Sequence, residues 1–117
     1  MKLIILGRLP GQNEIDKANR THWTVGSKLK KQNMNMIIEL IRAQKLKKCS
    51  PVEIIFTWYE PNMKRDKDNI SSGGRKVILD SLVKMGILNG DGWKGYGDYS
   101  DRFEVDKNNP RVEVELL

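Results

Sequence analysis

The spacing of apolar residues along this chain changes from the period of a strand to that of a helix. Residues 1–7 are mostly apolar and predict a first strand. From 28 to 48 the apolar positions recur at i, i+3, i+4 and i+7, which predicts an amphipathic helix. The positions that set this spacing are Met34, Ile37, Ile38 and Ile41. The polar stretch between these two elements begins with turn residues and predicts a long loop.

The middle of the chain predicts a strand followed by a helix. Residues 52–60 are rich in β-branched and aromatic types, the composition of a buried strand. Pro61-Asn62 ends this strand, because proline offers no amide hydrogen to a ladder. Apolar positions then predict a helix over 73–85. Either Ser71 or Ser72 supplies its N-cap, and Gly86 is the residue after its end.

The last third of the chain predicts two more strands after a turn-rich segment at 87–97. These strands cover about 100–106 and 111–116, and the second alternates apolar with acidic residues, as a strand with one wet face does. The predicted order is β-α-β-α-β-β. This order predicts an α/β (α+β) fold in one domain, with about four strands in a small mixed sheet packed against two main helices.

Composition narrows the possible chemistry. No apolar run approaches the roughly 20 residues that a membrane crossing needs, and the first strand is too short for a signal peptide, so we expect a cytoplasmic protein. Cys49 and His22 are the only cysteine and histidine, which excludes an internal disulfide and the standard zinc clusters. Residues 1–50 carry 11 Lys/Arg against 3 Asp/Glu, while 51–117 carry 10 against 12. Such a basic half suits a phosphate-bearing partner, although a solvated basic helix has the same composition.

Two carboxylates stand among basic residues just after the second predicted strand. In an extended backbone Asp66 and Asp68 would leave the same face, where their charges repel. A hard divalent cation makes such an arrangement favourable. The flanking Lys64, Arg65 and Lys67 suit a polyanion. A solvated loop whose charges neutralise one another is the alternative reading.

Three further residues follow within reach of this pair. Lys76 and Asp80 are separated by four positions on the second predicted helix, so they either pair with each other or point together into a site. Asp91 lies in a glycine-flanked loop that we expect to return toward Asp66 and Asp68, or that is simply a turn. Several carboxylates with a lysine are typical of Mg²⁺-dependent phosphodiester hydrolysis, which needs an activated water and a charge clamp on the phosphate.

One series of motifs runs through nearly the whole chain. It consists of Gly7-x-Leu9-Pro10-x-x-Asn13, Asp66-x-Asp68-Asn69, Lys76-x-x-x-Asp80-x-Leu82, Gly86, Asp91 and Arg111-Val112-Glu113-Val114-Glu115. This series resembles the RusA-type endodeoxyribonucleases, which resolve Holliday junctions and are frequent in bacteria and prophages. The combined series is specific, whereas each piece alone is not.

The resemblance implies roles for five residues. Asp66, Asp68 and Asp91 match the family's metal-binding catalytic aspartates, with Mg²⁺ as the metal and Mn²⁺ as a substitute. Lys76 matches the essential lysine. Asp80 matches an acidic helix position, either as a metal ligand or as a residue that contacts the metal ligands.

One departure from the family pattern concerns the lysine. Residues 71–74 act as an insertion of about four residues before Lys76, whose spacing to the following aspartates is preserved. Arg75 is the alternative for the same role.

The resemblance further implies a single endonuclease domain over 1–117 that acts as a homodimer on branched DNA, four-way junctions above all, in recombination and repair. Residues expected to contact DNA are Lys64, Arg65, Lys67, Arg75 and Arg20. Arg20 stands beside His22 and Trp23 on the long predicted loop, a group that either touches DNA or packs the loop onto the body. Two alternatives to a junction nuclease are a DNA-binding module without catalysis and a metal nuclease acting on other branched or flap DNA.

Overall fold

Four strands form one sheet, two of the three helices pack against it, and the remaining helix packs on those two. A computed structural model describes all residues, 1–117. The elements are β1 (Lys2–Leu6), α1 (Gln12–Thr21), α2 (Trp23–Ala43), β2 (Glu53–Glu60), α3 (Lys67–Lys84), β3 (Asp98–Val105) and β4 (Arg111–Leu116). None of these helices has the length and apolar character that a membrane crossing requires.

The sheet is mixed, with strand order β1-β4-β2-β3. β4 pairs antiparallel with both β1 and β2, while β2 and β3 are parallel neighbours. Parallel strands need a crossover connection, and α3 provides it. The carboxyl ends of β2 and β3 therefore meet at one edge, where Glu60 lies opposite Val105. The predicted α+β class and the mixed sheet of four strands are confirmed.

The core lies between the sheet and the helices. Alternate residues of β4 are buried and the others face outward, as their hydrophobic pattern predicts. Trp58 and Phe56 of β2 are the largest fully buried side chains. They join apolar residues of α2 and α3 in a single cluster that includes Ile37 and Ile78. Burying a large apolar side chain contributes roughly 1.5–3 kcal/mol, so this cluster fixes the sheet against the helices.

The first helix was missed by the sequence pattern. Residues 12–21, predicted as loop, form α1. Its only apolar residues, Ile15 and Ala18, are half-buried, and two residues are too few to form the apolar stripe from which a helix is predicted. Contact with α2 and α3 stabilises it instead. The predicted helix over 28–48 begins earlier, at Trp23, and ends at Ala43. Lys45, with a φ of 55°, lies in the left-handed region just beyond it.

α3 begins at Lys67 and not at 73, which changes the setting of the acidic pair. Its N-cap is Asp66, not a serine, and Asp68 lies in the first helical turn. The expectation that both side chains leave one face of an extended segment is therefore wrong. Gly73 and Gly74, predicted near the start, lie buried inside the helix. A Cβ on Gly74 would lie 2.7 Å from a ring carbon of Trp58, so glycine permits the helix to approach the sheet.

Candidate active site

The carboxylates of Asp66 and Asp68 have no partner within the protein. Asp66 makes no capping hydrogen bond with its side chain, and neither carboxylate takes part in a side-chain hydrogen bond or salt bridge. Both residues are exposed. Negative charge at a helix start is favoured by the helix dipole, which explains how two free carboxylates are tolerated there. Mg²⁺ typically takes one or two carboxylates and keeps several waters, so this donor set fits the predicted metal.

An open cleft lies beside this helix start, beyond the carboxyl ends of β2 and β3. Its volume is about 630 Å³, and Asp66, Lys67, Phe103 and Glu104 are among the residues that line it. The ammonium group of Lys67 lies 5.6 Å from the centre of the Phe103 ring. Neither Lys67 nor its neighbour Lys64 forms a salt bridge, and both are exposed. The cleft thus places one free carboxylate, that of Asp66, beside the unpaired ammonium group of Lys67, while Asp68 and Lys64 lie close by in the sequence.

Arg65, also predicted to contact DNA, is engaged inside the protein. Its Nε and Nη2 donate to the two carboxylate oxygens of Glu60, each at 2.8 Å, and its Nη1 donates to the carbonyl of Leu9 at 3.0 Å. Glu60 is only 7% exposed. A bidentate pair of this kind is both strong and directional. Arg65 therefore ties the end of β2 to the segment before α1, and DNA contact by its guanidinium stays a prediction.

Arg75 is also held by an acidic partner. It forms a salt bridge with Asp101, whose other carboxylate oxygen accepts a hydrogen bond from the indole of Trp58 at 3.0 Å. The guanidinium carbon lies 4.6 Å from the centre of the Tyr99 ring. Asp101 lies within β3, and its salt bridge with Arg75 joins that strand to α3.

A second group of charges lies further along α3 and brings together three of the predicted residues. The Nζ of Lys76 lies 3.1 Å from Asp80 and 3.0 Å from Asp91. Lys76 donates hydrogen bonds to the carboxylates of Asp91 and Asp80, and these bonds raise the pKa of Lys76, the bond to Asp91 having the larger effect. The same bond lowers the pKa of Asp91. Lys76 is therefore positive and Asp91 negative throughout the neutral pH range.

Lys30 of α2 completes this second group, and sequence reasoning did not assign it. Its Nζ lies 2.9 Å from the second carboxylate oxygen of Asp80, so one carboxylate holds two lysines. Lys30 and Lys76 also line a cavity of about 200 Å³ between the three helices. The sequence placed Lys30 only on the polar face of a basic helix. No local signal indicates which acid a lysine will reach across a helix interface.

The two groups are separated along α3. Asp68 and Asp80 are 12 positions apart in the sequence, about 18 Å along a helix axis at 1.5 Å per residue. No three Asp, Glu, His or Cys side chains lie close enough together to hold a metal ion. Asp91, expected to return toward Asp66 and Asp68, lies against Lys76 instead. Binding of one metal by Asp66, Asp68 and Asp91 together stays a prediction.

Asn69 links two of the sequence motifs directly. Its Oδ1 accepts a hydrogen bond from the backbone N–H of Asn13 at 2.8 Å. A Cβ on Gly11 would lie 2.7 Å from the same oxygen, so glycine leaves room for this side chain. The asparagine that follows the acidic pair thus anchors the start of α1 to the start of α3. No family model and no curated protein matches the chain.

Proposed function

We propose that the protein is a Mg²⁺-dependent, structure-selective endodeoxyribonuclease that cuts branched DNA, four-way junctions above all. The observation that carries this proposal is the pair of partnerless carboxylates, Asp66 and Asp68, within a segment whose Lys64 and Lys67 form no salt bridge. Asp66 and Lys67 line the same cleft. Most acidic side chains elsewhere in the chain are held by basic ones, as Asp80 is. Carboxylates kept free next to lysines suit a metal and a phosphate together, because the metal neutralises the acids and the lysines attract the polyanion.

Each predicted site residue has its own role in this proposal. Asp66 and Asp68 would hold Mg²⁺, and Asp91 would join them only after leaving Lys76. The metal, when bound, makes a water nucleophilic near neutral pH and neutralises charge on the phosphate. The motif resemblance implies that Lys76 neutralises the phosphate that is being cut. Lys76 is eight positions from Asp68, about 12 Å along α3, so its side chain would leave Asp91 and extend toward the start of the helix. Asp80 orients Lys76 through the 3.1 Å contact.

The remainder of the proposal follows from the motif resemblance. It includes action as a homodimer on junctions, Mn²⁺ as a substitute metal, and a role in recombination and repair in the cytoplasm of a bacterium or a phage-infected cell. Two copies are needed to make paired cuts in a four-way junction, since each copy supplies one site.

A DNA-binding module without catalysis is the second candidate. It is favoured by one observation: the carboxylates of Asp80 and Asp91 are already bound by lysines. In that case the basic half of the chain would carry the function, and Asp66 and Asp68 would weaken binding by repelling phosphate.

The deciding experiment follows a labelled four-way junction with the full chain in Mg²⁺ and in EDTA. We expect paired cuts in Mg²⁺ and binding without cuts in EDTA. Asp68→Asn should lower cleavage at least 100-fold, the order of effect of losing one charge-stabilising group. It should leave junction binding unchanged or tighter, because one repelling charge is removed.

Asp98→Asn is the matched control, since Asp98 is also exposed and lies at the opposite end of β3 from the cleft. It should cleave as the wild type does. Binding in both buffers with no cuts in Mg²⁺ would establish the non-catalytic module instead. Flap and single-stranded substrates tested in parallel would reveal a nuclease with another preference.

A further inference from the structure

Helices α1 and α2 meet at a tight corner, defined here as residues 20–25, that holds an aromatic side chain outward. Only His22 separates the two helices. Its Nδ1 accepts a hydrogen bond from the backbone N–H of Thr24 at 3.2 Å and so caps α2. A Cβ on Gly26 would lie 1.7 Å from the side-chain oxygen of Asn19, so the two helices touch directly behind the corner. A helix cap and close packing therefore support the corner.

Trp23 projects from this support into solvent. It is 73% exposed and contacts the His22 ring at a centroid distance of 5.7 Å. Burial of a large aromatic side chain contributes a few kcal/mol to folding. Because Trp23 is mostly exposed, it supplies little of that stabilisation. A single exposed aromatic residue is ordinary by itself. Its charged surroundings make this one informative.

The sequence on both sides of Trp23 is basic. From Lys17 to Ile38 the sequence contains no acidic residue. The cations of this segment that form no salt bridge are Lys17, Arg20, Lys28 and Lys31. An exposed indole among free cations matches the chemistry of a nucleic-acid strand, whose bases stack on aromatic rings while its phosphates pair with basic groups.

Trp23 also lies on the same side of α2 as Lys30. The two are seven positions apart, two helical turns, or about 10 Å along the axis. Lys30 in turn contacts Asp80, the partner of Lys76. Stacked DNA advances 3.4 Å per nucleotide, so the axial separation of Trp23 and Lys30 corresponds to about three nucleotide steps.

We infer that the corner is a docking site for an unstacked nucleobase, with Trp23 as the stacking surface. The inference rests on the proposed function in that the base belongs to the branched DNA being cut. A branch point offers such bases, whereas a continuous duplex keeps its bases stacked. The corner would thus contribute to the preference for branched over linear DNA.

The test measures DNA affinity by fluorescence anisotropy in EDTA, so that no cleavage is involved. Three labelled probes are compared: a four-way junction, one of its strands alone, and a continuous duplex. Trp23→Ala and Trp23→Gln should each weaken binding to the junction and the single strand about 5- to 100-fold, the effect of losing one base–aromatic stack. Trp23→Phe should keep most of the affinity, and duplex affinity should change less than about twofold in all three.

Trp93→Ala is the matched control, because Trp93 is fully exposed but lies in a groove with Asp91 and Asp98. It should bind all probes as the wild type does. If Trp23→Ala and Trp23→Gln both bind the junction and the single strand as tightly as the wild type does, the inference is overturned. An equal loss on duplex, or the same loss in Trp93→Ala, would overturn it as well.

Sedimentation of the wild type and Trp23→Ala tests the competing occupant, a second copy of this chain. Association that depends on Trp23, with DNA affinity unchanged, would also overturn the inference. Failure of the proposed nuclease can be distinguished from failure of the base-docking site. If only the nuclease fails, the Trp23 variants still lose affinity in EDTA, but the wild type makes no cuts in Mg²⁺. Cleavage by the wild type with unaltered affinity in the Trp23 variants removes only the base-docking site.

Discussion

Replacing Arg65 with alanine separates a structural role from a DNA-binding one. The change would leave the carboxylate of Glu60, 7% exposed, without its bidentate partner and would remove the bond to the carbonyl of Leu9. Removing one partner of a buried ion pair costs about 3–5 kcal/mol. Arg8, whose Nε lies 3.7 Å from Glu60, offsets part of this. We therefore expect a loss of about 3 kcal/mol in the free energy of unfolding.

Urea denaturation followed by circular dichroism measures this loss, which corresponds to a decrease of about 10 °C in melting temperature for a domain of this size. Lys64→Ala is the matched control. Its side chain is exposed and unpaired, so stability should change by less than about 0.5 kcal/mol while affinity for DNA falls. The double variant Glu60→Met/Arg65→Met should recover most of the stability, because neither charge is then left unpaired. Arg65→Ala with wild-type stability would refute the structural role.

Two further predictions concern helix packing and acid stability. Gly74→Ala should lower the free energy of unfolding by about 1–2 kcal/mol in urea denaturation, because crowding against the indole beneath it outweighs the gain in helix propensity. A Cβ on Gly73 would lie 2.5 Å from the terminal methyl of Ile15, which can move aside, and 3.4 Å from backbone atoms of Gln12 and Pro10, an ordinary contact distance. Gly73→Ala should therefore be nearly neutral, and equal losses in the two variants would contradict this reasoning. The hydrogen bond from Arg111 lowers the pKa of Asp106. The contribution of this carboxylate to stability is therefore complete at pH values above its ordinary pKa of 3.8 and is lost as the pH falls through its lower pKa in the folded protein. Melting temperatures from pH 6 to about pH 2 should fall less steeply for Asp106→Asn than for the wild type, and parallel curves would contradict the pairing.

The strands and the class of the fold could be predicted because their pattern is local. Phe56 and Trp58 belong to a run of β-branched and aromatic residues that few other structures accommodate, and the alternation of Val112 with Glu113 allows only one buried face. α1 could not be predicted in this way. It buries no residue completely, so the pattern contains no record of the tertiary contacts that stabilise it.

The start of α3 also depends on tertiary packing that the sequence pattern does not show. Glycines at 73 and 74 lower helix propensity, which led to a predicted boundary at that point. In the fold these two glycines allow close contact with Trp58 and Ile15, and that packing outweighs the loss of propensity. The acidic pair therefore lies at the helix start instead of in a preceding extended segment.

By itself the sequence determined the four strands, the types of most elements and the charged residues from which a site can be made, because hydrophobic period and residue chemistry are properties of the chain. Only the tertiary structure decided which charges meet. It pairs Arg65 with Glu60, Arg75 with Asp101, and Lys76 with Asp91. Asp66 and Asp68 are left free at the helix start. Charged side chains have long reach and weak local preference, so their partners depend on how helices and strands pack.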